Sequence, residues 1–446
     1  MPIRIFTDLD AARRDLLARR PPGQQELSPG VRAGIRRVFG ADLDAAAVVE
    51  RILADVRREG DAALRRYTAE FDGARLDGLV ASEGEIAAGV AAAGATVVAA
   101  MRVAAERIEA FHRRQVRQSW VDFGADGALG QVVRPLARVG LYVPGGTAAY
   151  PSSLLMSAIP ARVAGVGEIV VATPPGRDGA LPPATLAAAR VAGVHRIVKV
   201  GGAQAIGALA YGTASVPRVD KIFGPGNLFV ALAKARVYGQ VAIDQIAGPT
   251  ETLIVADDGA DPALVAADLL AQAEHDPLAS AILLTTSAAL AERVRDAIEA
   301  QLPALSRREI IAASLAANGG IAVVPDLATA IALANDYAPE HLCLVVRDPW
   351  ALVESVRNAG GIFLGAASAE VMGDYVAGPS HVMPTGGTAR FSSPLNVEEF
   401  VKVISLIGLN DRGLRALGPA AATLAECEGL TAHAAAVRRR GLRTED

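Results

Sequence analysis

Short runs of β-branched and apolar residues alternate with longer runs of helical spacing through the middle of the chain. The β-rich runs fall at 139–143, 169–172, 196–200, 222–223, 253–256, 281–285, 321–324, 342–346 and 362–364. Alternation on this scale predicts an α/β fold with parallel sheets, two of them. The loop 246–251, I-A-G-P-T-E, is the expected crossing point. Upstream, 42–71 and 86–117 carry helical periodicity with mixed charge. Residues 1–40 read as helical and separate from the core, with a Pro-Pro-Gly break at 21–23. Beyond Pro394 the pattern is helical to the end, finishing in a basic run at 438–440. This tail has no strand to pack under, so an arm reaching a second subunit is expected.

Polar groups gather where these elements end. The helical run from Pro262 closes in D-L-L-A-Q-A-E-H, 268–275, and Pro277 stops it. Gln272 and His275, three residues apart, share a face at that end. They could form half of a metal site, or simply a solvated amide beside a histidine facing the helix dipole. In A-P-E-H, Pro339 ends a helix and sets Glu340 and His341 on a turn. An adjacent acid and imidazole suit proton transfer from an alcohol or activation of water, a capping carboxylate being the plainer reading. The long glycine/proline loop 373–387 carries Asp374 and His381, and loops of that length usually have work to do. In the tail, Glu428 and His433 would stand about 140° apart on a straight helix at about 100° per residue. They therefore differ in role or sit across a break at Gly429.

Three glycine turns join a strand to a helix: R-V-G-L-Y-V-P-G-G-T (138–147), V-K-V-G-G-A-Q-A-I-G (198–207) and F-G-P-G-N (223–227). Such turns let backbone approach a ligand closely. The second is not the dinucleotide fingerprint, because its first glycines are adjacent, so Asp220 is not read as a ribose ligand. Together the turns fit a nucleotide-sized crevice at a sheet's carboxyl edge, or ordinary tight turns.

Composition narrows the chemistry. Two cysteines, Cys343 and Cys427, are too few for a disulfide framework or a thiolate zinc site. Any metal must be held by histidine and oxygen, and there are six histidines. Gln272, His275, Asp374 and His433 make a two-nitrogen, two-oxygen set that suits Zn²⁺ or another borderline divalent ion. His195, before a strand, reads as structural, and His112, beside Arg113 and Arg114, as a surface residue. A net charge of −4 with no aromatic-interleaved basic cluster argues against nucleic acid and anionic membranes. The start lacks a leader pattern, and no apolar run reaches the roughly 18 residues of a membrane span, so cytosol is expected.

The stretches R-V-G-L-Y-V-P-G-G, G-G-A-Q-A-I-G-A-L-A, G-P-G-N, A-G-P-T-E, Q-A-E-H, A-P-E-H-L, G-D-Y-V-A-G-P-S-H-V-M-P-T and E-G-L-T-A-H together resemble the histidinol dehydrogenase family. The resemblance runs from about 138 to 440, and less specifically through the N-terminal helices. It implies two Rossmann-like, aldehyde dehydrogenase-like parallel-sheet domains with small helical arms. The division implied is 1–40 as N-terminal arm, 41–136 with 249–394 on the zinc and substrate side, 137–248 on the NAD side, and 395–446 as dimerisation arm. Gln272, His275, Asp374 and His433 match zinc ligands; His433 and Glu428 would come from the neighbouring subunit of a homodimer. Tyr142, Gln204 and Asn227 match NAD contacts. Thr250, Gln272, His275, His341, Asp374, Glu428 and His433 match substrate positions, as do Glu340 and His381; some relatives have Ser where Thr250 stands. The implied reaction is the oxidation of L-histidinol to L-histidine through the aldehyde, consuming two NAD⁺. His341 would take the alcohol proton and Glu340 would activate water. A paralogue acting on another small polar alcohol is the near alternative. A metal-free binding or scaffold protein would have no reason to keep all four ligands with Glu340 and His341.

Overall fold

The computed structural model describes residues 3–19, 27–145 and 150–440. The break at 21–23 and the end of the first glycine turn, 146–147, lie outside them. The chain opens with strand β1 (Ile5–Phe6) and helices α1 (Leu9–Asp15), α2 (Pro29–Phe39), α3 (Ala45–Glu59), α4 (Asp61–Phe71), α5 (Glu83–Ala93) and α6 (Ala95–His112). Strands β2 (Trp120–Gly124) and β3 (Gly127–Pro135) follow. A first α/β series comprises β4 (Arg138–Tyr142), α7 (Pro151–Ala164), β5 (Glu168–Ala172), α8 (Pro183–Ala192), β6 (Arg196–Val198), α9 (Gly202–Tyr211), β7 (Lys221–Phe223), α10 (Leu228–Val237) and β8 (Ala242–Ile243). A second comprises β9 (Glu251–Ala256), α11 (Pro262–Ala273), β10 (Ser280–Thr285), α12 (Ala288–Gln301), α13 (Arg308–Asn318), β11 (Gly320–Val323), α14 (Leu327–Tyr337), β12 (His341–Val345), β13 (Gly361–Leu364) and α15 (Glu370–Tyr375). Last come β14 (Val401–Leu409), α16 (Asp411–Cys427) and α17 (Thr431–Arg438).

Both series form parallel sheets, as expected. The first has the order β6-β5-β4-β7-β8 and the second β1-β11-β10-β9-β12-β13. In each, the chain winds outward in one direction and then resumes beside its starting strand. This creates a switch point between β4 and β7 in the first sheet and between β9 and β12 in the second. Helices cover both faces, so the central strands are apolar throughout; every residue of β9 is buried. All nine strand runs read from the sequence are present, their ends shifted by two residues at most.

The ends of the chain differ from expectation. β1 pairs in parallel with β11, Ile5 opposite Ile321, so the start of the chain is an edge strand of the second sheet. Residues 401–409 are a strand, not helix: β14 pairs antiparallel with β3 along its whole length, and β2 completes a three-stranded sheet. The packing of α3–α6 also departs from the expected grouping of 41–136 with 249–394. Val49, Ile52, Leu53 and Leu64 join Val170, Val198 and Ile222 in one core cluster, and Ile108 joins Val139 and Ile169 in another. Those helices therefore bury their apolar faces with the first series, chiefly against its helices α7–α10. His112 is buried too, its Nδ1 2.8 Å from the carbonyl of Ile108. Its neighbouring arginines had pointed outward. Among the described residues, no single helix is long and apolar enough to cross a membrane.

Candidate active site

The second sheet gathers its polar residues at the amino edge. β9 and β12 start level with one another, with His341 opposite Thr252. α14 ends at Tyr337, Ala338 adopts a left-handed conformation at φ 51°, and Pro339 prevents continuation. Alanine in that region costs roughly 1–2 kcal/mol; it is the only non-glycine with positive φ among the described residues. The strained turn delivers Glu340 to the mouth of the sheet and makes His341 the first residue of β12, rather than both lying on a free turn.

Glu340 is buried and held on one oxygen. Its Oε2 accepts from Thr250 Oγ1 at 2.6 Å and from the Glu251 amide at 3.0 Å. Burial pushes its pKa up to about 7, against the opposing pull of His341 and those two hydrogen bonds. His341 is buried with Nδ1 3.1 Å from the carbonyl of Glu251. A carbonyl can only accept, so Nδ1 carries the hydrogen and Nε2 presents its lone pair. Nε2 has no hydrogen-bond partner and lies 4.0 Å from Asp374 Oδ1. The single residue Glu251 thus fixes both groups, its N–H on Glu340 and its C=O on His341.

Gln272 sits in the last turn of α11, fully buried. Its Nε2 donates to Thr250 Oγ1 at 3.2 Å, which turns Oε1 away, buried and without a partner. An orphaned amide oxygen in a polar cluster is costly unless something binds it. His275 is exposed just past the cap Glu274, within electrostatic reach of Asp374 and His341. Asp374 lies in α15, not in an open loop, and α15 packs against α11. From the same helix Glu370 accepts from Thr252 Oγ1; burial, and then the charge of Asp374, hold its pKa well above the usual carboxylate range. Gln272 and His275 at the end of α11 and Asp374 on the adjoining α15 offer two oxygens and a nitrogen, donor types that a zinc ion takes, one short of a full set.

His433 does not join them. It is exposed on α17, and among the described residues no three His, Cys, Asp or Glu side chains gather closely enough to hold a metal ion. Glu428 caps α16, and Gly429 at φ 74° provides the break between it and α17. His381 bridges the loop to α7, with Nδ1 2.7 Å from Asp374 O and Nε2 3.0 Å from Ser153 Oγ. His195 accepts from the amide of Ile169 through Nδ1 and is structural. Asp220 accepts from the amide of Arg138 at the opposite, amino edge of its sheet.

In the first sheet the polar residues gather at the carboxyl edge. Tyr142 ends β4, and its hydroxyl accepts from the amide of Gly202 at 3.1 Å. Gln204, in the first turn of α9, is buried with Oε1 unpartnered. Asn227 caps α10, its side chain accepting from the amides of Phe229 and Val230. Gly224 has φ 110°, and a Cβ there would stand 2.1 Å from the Tyr142 carbonyl, so only glycine fits. The β4/β7 switch point, bare backbone and an unpartnered amide oxygen are features that could hold a nucleotide. Neither Gln272 Oε1 nor Gln204 Oε1 is visible as an orphan in sequence. Sequence reading also passed over Glu251 and Glu370, which look like ordinary strand and helix residues.

A family model described as histidinol dehydrogenase matches residues 37–441. The chain is 54% identical over 408 residues to a histidinol dehydrogenase of Deinococcus radiodurans, covering 91% of this chain and 93% of that one. It is 56% identical over 398 residues to one from Moorella thermoacetica, covering 89% and 94%. The crystal structure of histidinol dehydrogenase from Elizabethkingia anophelis superposes with a TM-score of 0.90 at 36% identity, covering 98% of each chain.

Because the Thr250 hydrogen bond favours the charged form of Glu340, Thr250→Val should raise that pKa further above about 7. Infrared titration of the Glu340 carboxyl, identified by its loss in Glu340→Gln, tests this; an unmoved titration contradicts the geometry described.

Proposed function

The chain belongs to the histidinol dehydrogenase family, and we propose that it oxidises L-histidinol to L-histidine at the cluster around Glu340 and His341, in two NAD-dependent steps. The observation that carries the reading is the paired state of those residues: a carboxyl with its pKa raised to about 7 beside an imidazole whose Nε2 is free. When bound, zinc supplies an anchor for the substrate's imidazole and amine, and NAD⁺ supplies the hydride acceptor. Overall, one alcohol, two NAD⁺ and one water yield one carboxylate, two NADH and three protons.

This chain's residues do the rest. His341 Nε2 takes the hydroxyl proton as the first hydride leaves the carbinol carbon, giving the aldehyde. The Glu251 carbonyl, accepting from Nδ1–H, stabilises the imidazolium that results. Glu340, held through Oε2, keeps Oε1 for water. It takes a proton as the water oxygen attacks the aldehyde carbon, and loss of the second hydride from the hydrate leaves the acid. A base with a pKa near the working pH combines availability with strength. Gln272, His275 and Asp374 would hold zinc on the same edge, which fixes the substrate rather than activating it. Tyr142, Gln204 and Asn227 would cradle NAD at the carboxyl edge of the first sheet.

The fourth ligand comes from a second copy in this reading. His433 and Glu428 lie on a tail whose surroundings are unusually apolar for a surface. Phe123 is 81% exposed, Ile407 73% and Leu424 65%, on β2, β14 and α16. Large apolar side chains left exposed on neighbouring elements suit an interface. A homodimer that covers it would carry each tail into the partner's site. A cytoplasmic location accords with soluble biosynthetic chemistry of this kind.

Two experiments test the assignment. Glu340→Gln keeps size but removes the base, so it should still oxidise histidinol once while losing about 10²-fold or more in oxidation of added histidinaldehyde. In the wild type that second step should fall as pH drops below about 7, where Glu340 is protonated. Equal losses in both half-reactions for Glu340→Gln, together with a lowered melting temperature, would reduce it to a turn cap. For the shared site, His275→Ala and His433→Ala should each lose zinc by elemental analysis and be inactive alone. Mixed and re-associated, they should regain part of the activity, because a hybrid dimer has one intact site. Hybrid dimers without activity would put the whole site in one chain.

A further inference from the structure

The strained turn that presents Glu340 and His341 is gripped by an arginine from the start of the chain, and we propose that Arg19 is a positioning residue for both half-reactions. The inference rests on the catalytic assignment made above. Arg19 Nη2 donates to the carbonyls of Tyr337 at 2.5 Å and Ala338 at 3.1 Å, and Nε donates to Tyr337 O at 3.1 Å. Its guanidinium lies over the Tyr337 ring, 3.7 Å from the centroid. Those carbonyls close α14 and have no donor within the helix, and a cation also suits the negative end of the helix. The grip falls on the two residues before Pro339, the second of them the left-handed Ala338.

The other end of the guanidinium holds the second support. Nη1 pairs with the Glu251 carboxylate, whose Oε1 also accepts from the amide of Gly386 at 3.1 Å. Glu251 is the residue whose N–H holds Glu340 and whose C=O holds His341. Arg19, from the N-terminal segment, therefore holds the backbone that leads into the pair and the side chain of the residue that orients it, and through Glu251 ties in the 373–387 loop. A planar fork of five donors can do this at once; a lysine ammonium is a single point. A rival role is simpler: Arg19 only neutralises Glu251, a carboxylate that is costly to leave buried alone.

The two roles separate in a double variant. Zinc-loaded Arg19→Met, Arg19→Lys, Arg19→Met/Glu251→Gln and the reference variants Glu340→Gln and His341→Asn are compared. Melting temperature, KM for NAD⁺ and kcat of each half-reaction are measured. Arg19→Met should lower kcat in both half-reactions by roughly 10–100-fold, the scale expected for displaced catalytic groups. KM for NAD⁺ should stay within about twofold of wild type, and Arg19→Lys should regain little. The double variant should recover the melting temperature lost in Arg19→Met but not kcat. Recovery of kcat in step with the melting temperature, or a wild-type kcat in folded Arg19→Met, overturns the proposal. If Arg19→Met does not fold, Arg19→Lys and the double variant decide by the same criteria. Wild-type rates in Glu340→Gln and His341→Asn would instead remove the pair that Arg19 serves, which is a failure of the catalytic assignment.

Discussion

Strands β9 and β12 pair in parallel with His341 opposite Thr252, so two chain segments 90 residues apart begin at one edge of the sheet. That register puts the peptide of Glu251 between Glu340 and His341, where one N–H and one C=O can orient both. A slip of one residue would turn the side chains to the other face and break both contacts. The helices complete the arrangement. α11 runs back against the strands and ends at their amino edge, which is why Gln272 arrives beside Thr250. Ligand sites in open α/β sheets usually occupy the carboxyl edge. In the first sheet Tyr142, Gln204 and Asn227 lie at that edge, whereas in the second the polar cluster lies at the amino edge, where α11 and α14 end.

Electrostatics at this edge is a contest that burial wins. Glu340 accepts two hydrogen bonds that favour its charge, yet exclusion from water lifts it to about 7. Burial also lifts Glu370 well above the usual carboxylate range, and the like charge of Asp374 adds to it. Glu251 is also raised by burial, with Arg19 pulling the other way. Three buried carboxyls, two of them within 3.8 Å of the His341 imidazole, would be destabilising in a purely structural core. Their presence together fits a site that handles protons.

Much of this was legible in the sequence, and the failures have physical causes. β-branched runs bounded by glycine and proline located nine of the eleven strands of the two parallel sheets, all but the two-residue edge strands β1 and β8, because strands buried on both faces are continuously apolar. Pro339 and Pro277 marked where Glu340 and Gln272 sit, since proline lacks an N–H and clashes with the preceding turn, although Pro160 and Pro419 do stand inside α7 and α16. β14 was missed because V-K-V-I-S-L-I-G-L lacks clean alternation and runs directly into α16. β1 is two residues long and gains its structure only from pairing with β11. The side on which α3–α6 pack could not be read from an amphipathic pattern, which gives a buried face but not its partner. Arg19 and Glu251 were invisible for a similar reason: 232 positions separate them, and only the fold brings them into contact.

The central claim is that one site carries out two successive oxidations, alcohol to aldehyde and aldehyde to acid, with Glu340 supplying the water-activating base between them. It is tested most directly by the amount of NADH formed per L-histidinol consumed by the purified, zinc-loaded protein. Two NADH for each L-histidinol, with L-histidine as product, is the predicted result. One NADH with histidinaldehyde released, or no turnover of L-histidinol, would contradict it.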